Sequence, residues 1–151
     1  MTSQNHAEDS FASPSSRPMR FLVIDDDRLT RALLADMLSP FGECDEAADA
    51  DTGLRMILGA DEHHRRYDVA FVDLIMPGAG GKDLLRALRS AEDEMGLAGS
   101  DGTKVVMITS SRDTRSCVQA FMLGCESYLT KPFTSDQVEE KLREIGTLVS
   151  A

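Results

Sequence analysis

The sequence lacks tryptophan, and aromatic residues of all kinds make up only 5% of its 151 residues. It also lacks an uninterrupted apolar run of about 20 residues, so neither a transmembrane helix nor membrane insertion is expected. The first residues do not show the basic-then-apolar order of a secretory signal peptide. We therefore expect a soluble protein of the cytoplasm.

Positive charge is scarce as well. The chain has 16 Lys and Arg residues against 26 Asp and Glu residues, which gives a formal net charge of −10. A nucleic-acid duplex is bound mainly by neutralising its phosphates with Lys and Arg. We expect no direct contact with nucleic acid, and an acidic surface instead suits a protein partner with basic patches.

The chain has three cysteines, which are widely spaced and form no C-x-x-C pair: Cys44, Cys117 and Cys125. This odd number and spacing favour neither a zinc site nor a disulfide framework, and they fit a reducing compartment. His63 and His64 are adjacent and so point to different faces of any regular element, which argues against a metal site there.

Short apolar runs alternate with segments of helical apolar spacing, and this pattern occurs five times after a polar first segment. It predicts an α/β protein with a doubly wound, five-stranded parallel sheet and five helices. The predicted strands are 19–24, 43–47, 68–72, 104–109 and 126–130. We expect residues 1–19 to form a disordered polar tail and residues 20–151 to form one domain.

Apolar spacing also predicts the buried face of each helix. The first helix is expected to bury Leu29, Leu33, Leu34, Met37 and Leu38. The second is expected to bury Leu54, Ile57 and Leu58, and the third Leu84, Leu85 and Leu88. Residues 91–102 are predicted to be a loop.

The last two helices are predicted from apolar spacing and from their end signals. Val118, Phe121 and Met122 define the fourth helix, and Gly124 is expected to end it in a left-handed conformation. Thr134 and Gln137 have the spacing of a capping box at the start of the fifth helix. Its apolar stripe is Val138, Leu142, Ile145 and Val149.

Polar residues follow the apolar strand runs at their C-terminal ends: Asp25, Asp26, Asp73, Thr109 and Lys131. In an open parallel sheet these ends share one edge, and ligands bind there where the strand order reverses. Carboxylates gathered at one edge repel one another, and a hard cation with oxygen ligands relieves that repulsion. Mg²⁺ is the natural candidate, whereas Asp27 is expected to be only a helix cap.

The same edge suits phosphoryl chemistry. A carboxylate such as Asp73 can act as a nucleophile and form an acyl phosphate. Phosphoryl transfer depends mainly on positioning and charge neutralisation, which the Lys131 ammonium and the Thr109 hydroxyl can supply.

Four segments resemble those of one family, the receiver domains of bacterial response regulators. They are FLVIDDD at 21–27, DLIMPG at 73–78, MITS at 107–110 and YLTKPF at 128–133. The resemblance spans about residues 20–149. It implies a flavodoxin-like sheet with strand order 2-1-3-4-5.

By this resemblance, Asp73 is the phosphoacceptor and takes a phosphoryl group from a phosphohistidine of a sensor histidine kinase or a histidine phosphotransfer protein. Asp25, Asp26 and Asp73 would hold Mg²⁺ together with the main-chain carbonyl of Ile75. Thr109 would bond the phosphoryl group and Lys131 would pair with it.

The resemblance also implies a switch and a mode of output. Thr109 and Tyr128 would be the switch residues, and they would alter the face made by the fourth helix, fifth strand and fifth helix. The altered face would engage a downstream protein or a second copy of the chain. The catalysis would be confined to the protein itself, so the chain is not expected to be an enzyme. The Lys131–Pro132 peptide is expected to be cis.

Two other functions remain open from the sequence. A haloacid-dehalogenase-like phosphatase also uses an Asp nucleophile, a hydroxyl, a Lys and Mg²⁺, and it would depend on Asp25 of the first strand. A receiver-like binding module that acts without phosphorylation is the second alternative.

Overall fold

The computed structural model describes residues 18–63, 65–97, 102–110 and 114–147. The strands are β1 (Met19–Ile24), β2 (Gly42–Ala47), β3 (Val69–Asp73), β4 (Lys104–Thr109) and β5 (Ser127–Thr130). The helices are α1 (Arg28–Leu38), α2 (Ala50–Glu62), α3 (Gly81–Glu94), α4 (Thr114–Met122) and α5 (Ser135–Glu144). The predicted disordered tail covers residues 1–19; residues 1–17 lie outside the described residues, as does Val149, whereas Met19 is the first residue of β1.

The five strands form one parallel sheet in the order β2-β1-β3-β4-β5, which confirms the predicted fold class. β3 is buried along its whole length because helices cover the sheet on both faces. Ile24 lies opposite both Ala47 and Val72 in the register, and Thr109 lies opposite Thr130. The C-terminal ends of the strands therefore meet at one edge, called the C-terminal edge below.

Alternate residues of each strand enter two apolar layers, one on each face of the sheet. On one face, Phe21, Phe71 and Ile108 pack with Leu34 of α1 and Leu142 of α5. The opposite face carries the second layer, which joins strand residues to α2, α3 and α4 and contains Leu22, Ile24, Val72, Met107, Ile57, Leu84, Leu85, Leu88 and Ala120. The period of two in the strands thus fixes which helices lie on which side.

The predicted helix ends are confirmed. Asp27 is the N-cap of α1 and accepts a hydrogen bond from the amide of Leu29. Thr134 and Gln137 form a reciprocal capping box at the start of α5. Gly124 has φ of 104°, a left-handed conformation that glycine adopts without strain, and it follows the end of α4.

The predicted buried face of α1 is wrong in part. Leu34 and Leu38 are fully buried, whereas Leu29 is 66% exposed and Leu33 is 49% exposed. The apolar residues of α1 form two adjacent stripes, and only one stripe can face a flat sheet. The apolar residues expected to define α4, Val118, Phe121 and Met122, are also exposed. The small residue Ala120 of α4 is buried instead.

Part of the predicted loop at 91–102 is helical. α3 continues to Glu94, because Glu92 is buried and accepts hydrogen bonds from Arg89 and from the amide of Thr103. Residues 98–101 lie outside the described residues. Among the helices that the structure describes, none combines the length and apolarity needed to cross a membrane.

Candidate functional site

Four strands deliver polar residues to the C-terminal edge. Asp25 follows β1, Asp73 ends β3, Thr109 ends β4 and Lys131 follows β5. Main-chain bonds hold the two residues that lie just beyond their strands: the amide of Asp25 donates to Ala47 O at 3.1 Å, and that of Lys131 to Thr109 O at 2.7 Å. The sheet therefore fixes the backbone beneath each of these side chains.

Three carboxylates converge at this edge. One oxygen from each of Asp25, Asp26 and Asp73 lies within 4.8 Å of the other two. Asp25 is fully buried and Asp73 is buried, whereas Asp26 is exposed and opens the cluster to solvent. Thr109 is buried at the end of the neighbouring strand.

Lys131 bridges the two buried carboxylates. Its Nζ lies 3.0 Å from Asp25 Oδ2 and 3.6 Å from Asp73 Oδ2. The other oxygen of each carboxylate accepts a bond from the amide two residues further on: Asp27 N to Asp25 Oδ1 at 2.9 Å, and Ile75 N to Asp73 Oδ1 at 3.3 Å. Each of these Asp residues thus forms the local turn that its short side chain favours.

The cluster carries more negative than positive charge. Burial, followed by the charge of Asp25, raises the pKa of Asp73 to about 6, although Lys131 and the Ile75 amide act in the opposite direction. Burial opposes the charge on Lys131, but the adjacent carboxylates of Asp25 and Asp73 outweigh burial and raise its pKa. Three carboxylates and one ammonium leave a formal charge of −2 when all are ionised.

These residues fit a divalent cation. All three side chains offer oxygen atoms, which are the ligands of hard cations such as Mg²⁺. Asp25 Oδ2 is buried and accepts no hydrogen bond within the described residues. It forms an ion pair with Lys131 Nζ, which lies 3.0 Å away. A buried anionic oxygen without a hydrogen bond is costly, and a bound cation would offset that cost.

The remaining predicted site residues take separate positions. The side chain of Ile75 is 72% exposed, and its backbone amide holds Asp73. Tyr128 lies on the outer side of β5, where its ring meets Phe121 edge to face with centroids 6.0 Å apart. Lys141 Nζ lies 5.2 Å from the centroid of the same ring. The Lys131–Pro132 peptide is cis, as expected.

Sequence reasoning missed Arg31, which supports the site from α1. Its side chain is only 16% exposed, and Nη1 donates to the main-chain oxygen of Asp25 at 2.8 Å. Its Nε donates to Glu46 Oε1 on β2 at 3.2 Å. The spacing of Arg31 from Asp27 is an ordinary helix spacing, so no sequence signal distinguished it from a solvated charge.

A second feature that sequence reasoning missed is an apolar groove of about 420 Å³ beside Lys131. Leu33 and Met37 of α1 form one wall, and Pro132 and Phe133 form the other. It exists because α1 leaves one of its two apolar stripes uncovered.

Comparison with known proteins finds a family model and several relatives that agree with one another. A family model described as the response regulator receiver domain matches residues 21–143. The chemotaxis protein CheY of Pseudomonas aeruginosa is 32% identical over 129 residues, which cover 84% of this chain and 95% of that protein. The chemotaxis protein CheY-3 of Vibrio cholerae is 31% identical over 132 residues, covering 86% of this chain and 93% of that protein.

Two further relatives extend the comparison. The transcriptional regulatory protein DltR of Streptococcus agalactiae is 29% identical over 126 residues, which cover 83% of this chain but only 50% of that protein. Among solved structures, the Vibrio cholerae chemotaxis protein CheY4 superposes with a TM-score of 0.71 at 22% identity, covering 85% of this chain and 99% of that one. This structural likeness concerns the fold.

Proposed function

The chain belongs to the family of response regulator receiver domains, and from that membership we propose that it is a phosphoacceptor switch whose acceptor is Asp73. The observation that carries the proposal is the convergence of three carboxylates within 4.8 Å, with Lys131 placed between the two buried ones. The receiver unit would span residues 20–151. The chain would act as a regulator and would not turn over an external substrate.

The proposed Mg²⁺ site uses Asp25, Asp26 and Asp73, with the main-chain carbonyl of Ile75 as a further ligand. When bound, Mg²⁺ neutralises the charge of the carboxylates and of the phosphoryl oxygens. Asp26, the exposed member of the cluster, lies where a cation would enter from solvent. The buried Asp25 and Asp73 would keep their geometry through the amides of Asp27 and Ile75.

In the proposed transfer, a phosphohistidine of a sensor histidine kinase or a histidine phosphotransfer protein is the donor. A carboxylate oxygen of Asp73 forms a bond to phosphorus, and the bond from phosphorus to the donor imidazole nitrogen breaks. The imidazole leaves with the electron pair and takes up a proton from water. Because the pKa of Asp73 is about 6, its carboxylate is mainly ionised at neutral pH and is ready to attack.

Lys131 and Thr109 would stabilise the phosphorylated form. The Lys131 ammonium already lies 3.6 Å from Asp73 Oδ2, so it would remain paired with the phosphoryl oxygens. The Thr109 hydroxyl would donate to those oxygens from the neighbouring strand. Both residues neutralise or bond the charge that is added at Asp73.

The proposed output is a change on the face of α4, β5 and α5. Movement of Thr109 toward the phosphoryl group would let Tyr128 leave its contacts with Phe121 and Lys141. That change would alter the surface offered to a downstream protein or to a second copy of the chain. We also propose that this signalling takes place in the cytoplasm, without insertion into a membrane and without direct binding of nucleic acid.

The test is to incubate the protein with Mg²⁺ and acetyl phosphate and to measure its intact mass. We expect the mass to rise by one phosphoryl group. Asp73→Asn should abolish the gain, whereas the matched control Asp83→Asn, an exposed Asp on α3, should preserve it. A gain that survives Asp73→Asn, or no gain in the wild type, would contradict the proposal.

A further inference from the structure

We infer that Arg31 is a positioning residue for the cation site, which it serves by fixing the peptide between Asp25 and Asp26. This inference rests on the proposed Mg²⁺ site. Arg31 is not itself a ligand of the proposed cation, because its guanidinium carries no oxygen atom and is positively charged. Its effect would pass through the backbone.

Hydrogen bonds hold the turn between β1 and α1 at several points. The amide of Asp25 continues the ladder to Ala47 of β2, and the carbonyl of Asp27 accepts the first helical bond from the amide of Arg31. The carbonyls of Asp25 and Asp26 lie between these two points, and Arg31 Nη1 donates to that of Asp25 at 2.8 Å. The guanidinium therefore adds a further bond to the turn, at the peptide that joins Asp25 to Asp26.

The position of the Asp26 carboxylate depends on this backbone. Its side chain is exposed, and its carboxylate makes no hydrogen bond or ion pair with the part of the chain that the structure describes. Its direction is thus set mainly by the peptide plane that joins it to Asp25. Rotation of that plane would move the Asp26 carboxylate away from those of Asp25 and Asp73 and would spread the cluster.

Arg31 is itself held in place by an ion pair. Nε bonds Glu46 Oε1 at 3.2 Å, and the neighbouring residue Ala47 is the one that accepts from Asp25. Because the Glu46 carboxylate offsets the guanidinium charge, the ion pair has no net charge that would repel a bound cation. Its contribution would therefore be geometric, of the kind that groups behind metal ligands usually make.

A geometric role and an electrostatic role predict opposite signs. If Arg31 acted only as a nearby positive charge, removing it would tighten Mg²⁺ binding, because like charges repel. If it positions the turn, removing it should weaken Mg²⁺ binding even when the net charge is unchanged. The double variant Arg31→Met/Glu46→Gln removes both partners and leaves the net charge unchanged, so it separates the two roles.

The experiment is calorimetric titration of Mg²⁺ into the metal-free protein. We expect the double variant to bind Mg²⁺ about tenfold more weakly than the wild type. Arg28→Met, which removes an exposed charge from the first turn of the same helix, should bind Mg²⁺ as tightly as the wild type or more tightly. Arg31→Lys keeps the charge but cannot bond Glu46 and the Asp25 carbonyl at once as the guanidinium does. Its affinity for Mg²⁺ should lie between those of the double variant and the wild type.

Amide hydrogen exchange in the absence of metal gives an independent measurement. The amide of Asp27, which donates to Asp25 Oδ1, should exchange severalfold faster in the double variant. The amide of Gln137 in the α5 capping box should be unchanged, which also shows that the variant is folded.

The outcomes separate this inference from the proposed function. If the wild type itself does not bind Mg²⁺, the proposed function fails. If the wild type binds Mg²⁺ and the double variant binds it equally or more tightly, with unchanged exchange at Asp27, only the positioning role of Arg31 is overturned.

Discussion

The two ends of the parallel sheet carry polar clusters of opposite character. At the C-terminal edge, three carboxylates face one ammonium, and within the described residues a buried oxygen of Asp25 accepts no hydrogen bond and is paired only with the charge of Lys131. At the N-terminal edge, Arg89 of α3 lies among the residues that lead into β4 and β5. We call this second group the Arg89 cluster; it contains Arg89, Glu92, Thr103, Gly124 and Glu126.

Arg89 uses all five of its N–H donors. Nε and Nη2 donate to Gly124 O at 3.0 and 2.8 Å, and Nη1 donates to Thr103 O at 2.8 Å. The other bonds go to Glu92 Oε1 at 2.6 Å and Glu126 Oε1 at 3.0 Å. Both carboxylates also accept backbone amides, at Thr103 and Val105.

This difference distinguishes a structural cluster from a binding cluster in one small protein. A polar network in which the charged donors and acceptors are matched, as those of Arg89, Glu92 and Glu126 are, rigidifies the fold and has little capacity left for a ligand. A cluster with surplus negative charge and unmatched oxygens is less stable by itself and gains stability when a cation or phosphoryl group arrives.

Arg89→Met should have the largest effect. It leaves the buried Glu92 and the partly buried Glu126 without their cation, which is expected to lower the free energy of unfolding by about 3–5 kcal/mol. Urea denaturation would measure it. Arg86→Met, which removes an exposed ion pair with Asp83, is the matched control and should change stability by less than about 1 kcal/mol. Equal losses of unfolding free energy in Arg89→Met and Arg86→Met would contradict the structural role assigned to the Arg89 cluster.

Mg²⁺ should stabilise the protein through the C-terminal edge. At a hundred times its dissociation constant, a ligand specific for the folded state adds about 2.7 kcal/mol to the free energy of unfolding. Thermal melts with and without Mg²⁺ would detect this gain. Asp25→Asn should lose most of it, while Arg86→Met should retain it. A gain that is the same in Asp25→Asn would place the cation elsewhere.

Without metal, Asp73→Asn should raise the free energy of unfolding at pH 7.5 by about 1–2 kcal/mol, since it removes a carboxylate whose ionisation the folded state disfavours. The folded-state pKa of about 6 lies above the ordinary value of 3.8, so the folded protein binds the proton more tightly. The wild type should therefore gain stability from this group as the pH falls from about 6 to about 4.

The difference in unfolding free energy between Asp73→Asn and the wild type should become smaller as the pH falls through the same interval. Denaturant titrations at several pH values would measure this convergence. An advantage that grows as the pH falls would contradict the assigned pKa direction.

Thr103→Val should have the smallest effect. The Thr103 hydroxyl is buried without a hydrogen-bond partner in the described residues, so an apolar group of the same shape should be neutral or stabilising by up to about 1 kcal/mol. Thr103→Ser keeps the unmatched hydroxyl and removes a methyl group, so it should be destabilising. Destabilisation by Thr103→Val would mean that this hydroxyl belongs to the matched network.

The sequence was sufficient to predict the strand positions to within one residue, and also the sheet edge at which the strand-end polar residues lie, because strand periodicity and strand-end polar residues are local signals with one geometric consequence. Asp25, Asp73, Thr109 and Lys131 had to meet once the sheet was parallel. The predicted order of strands rested on the family resemblance and was confirmed.

Features that depend on how helices rotate and end could not be predicted in the same way. Leu29 and Leu33 share helical spacing with Leu34 and Leu38, and only packing decides which stripe faces the sheet. Arg31 reaches the carbonyl of Asp25 through tertiary geometry. The extension of α3 through Glu92 depends on bonds from Arg89 and Thr103 that no local pattern encodes.

The cysteines that seemed uninformative in the sequence give the protein a selective chemical handle. Burial, together with neighbouring acidic charges, raises the pKa of the Cys44 thiol to about 12, and burial with the charge of Glu126 raises that of Cys125 to about 11. Both thiols should therefore react more slowly with maleimides near neutral pH than an ordinary cysteine, because less of the thiolate is present. A fluorophore should therefore attach at the half-buried Cys117 of α4, where it would report movement of the proposed output face without any engineered residue.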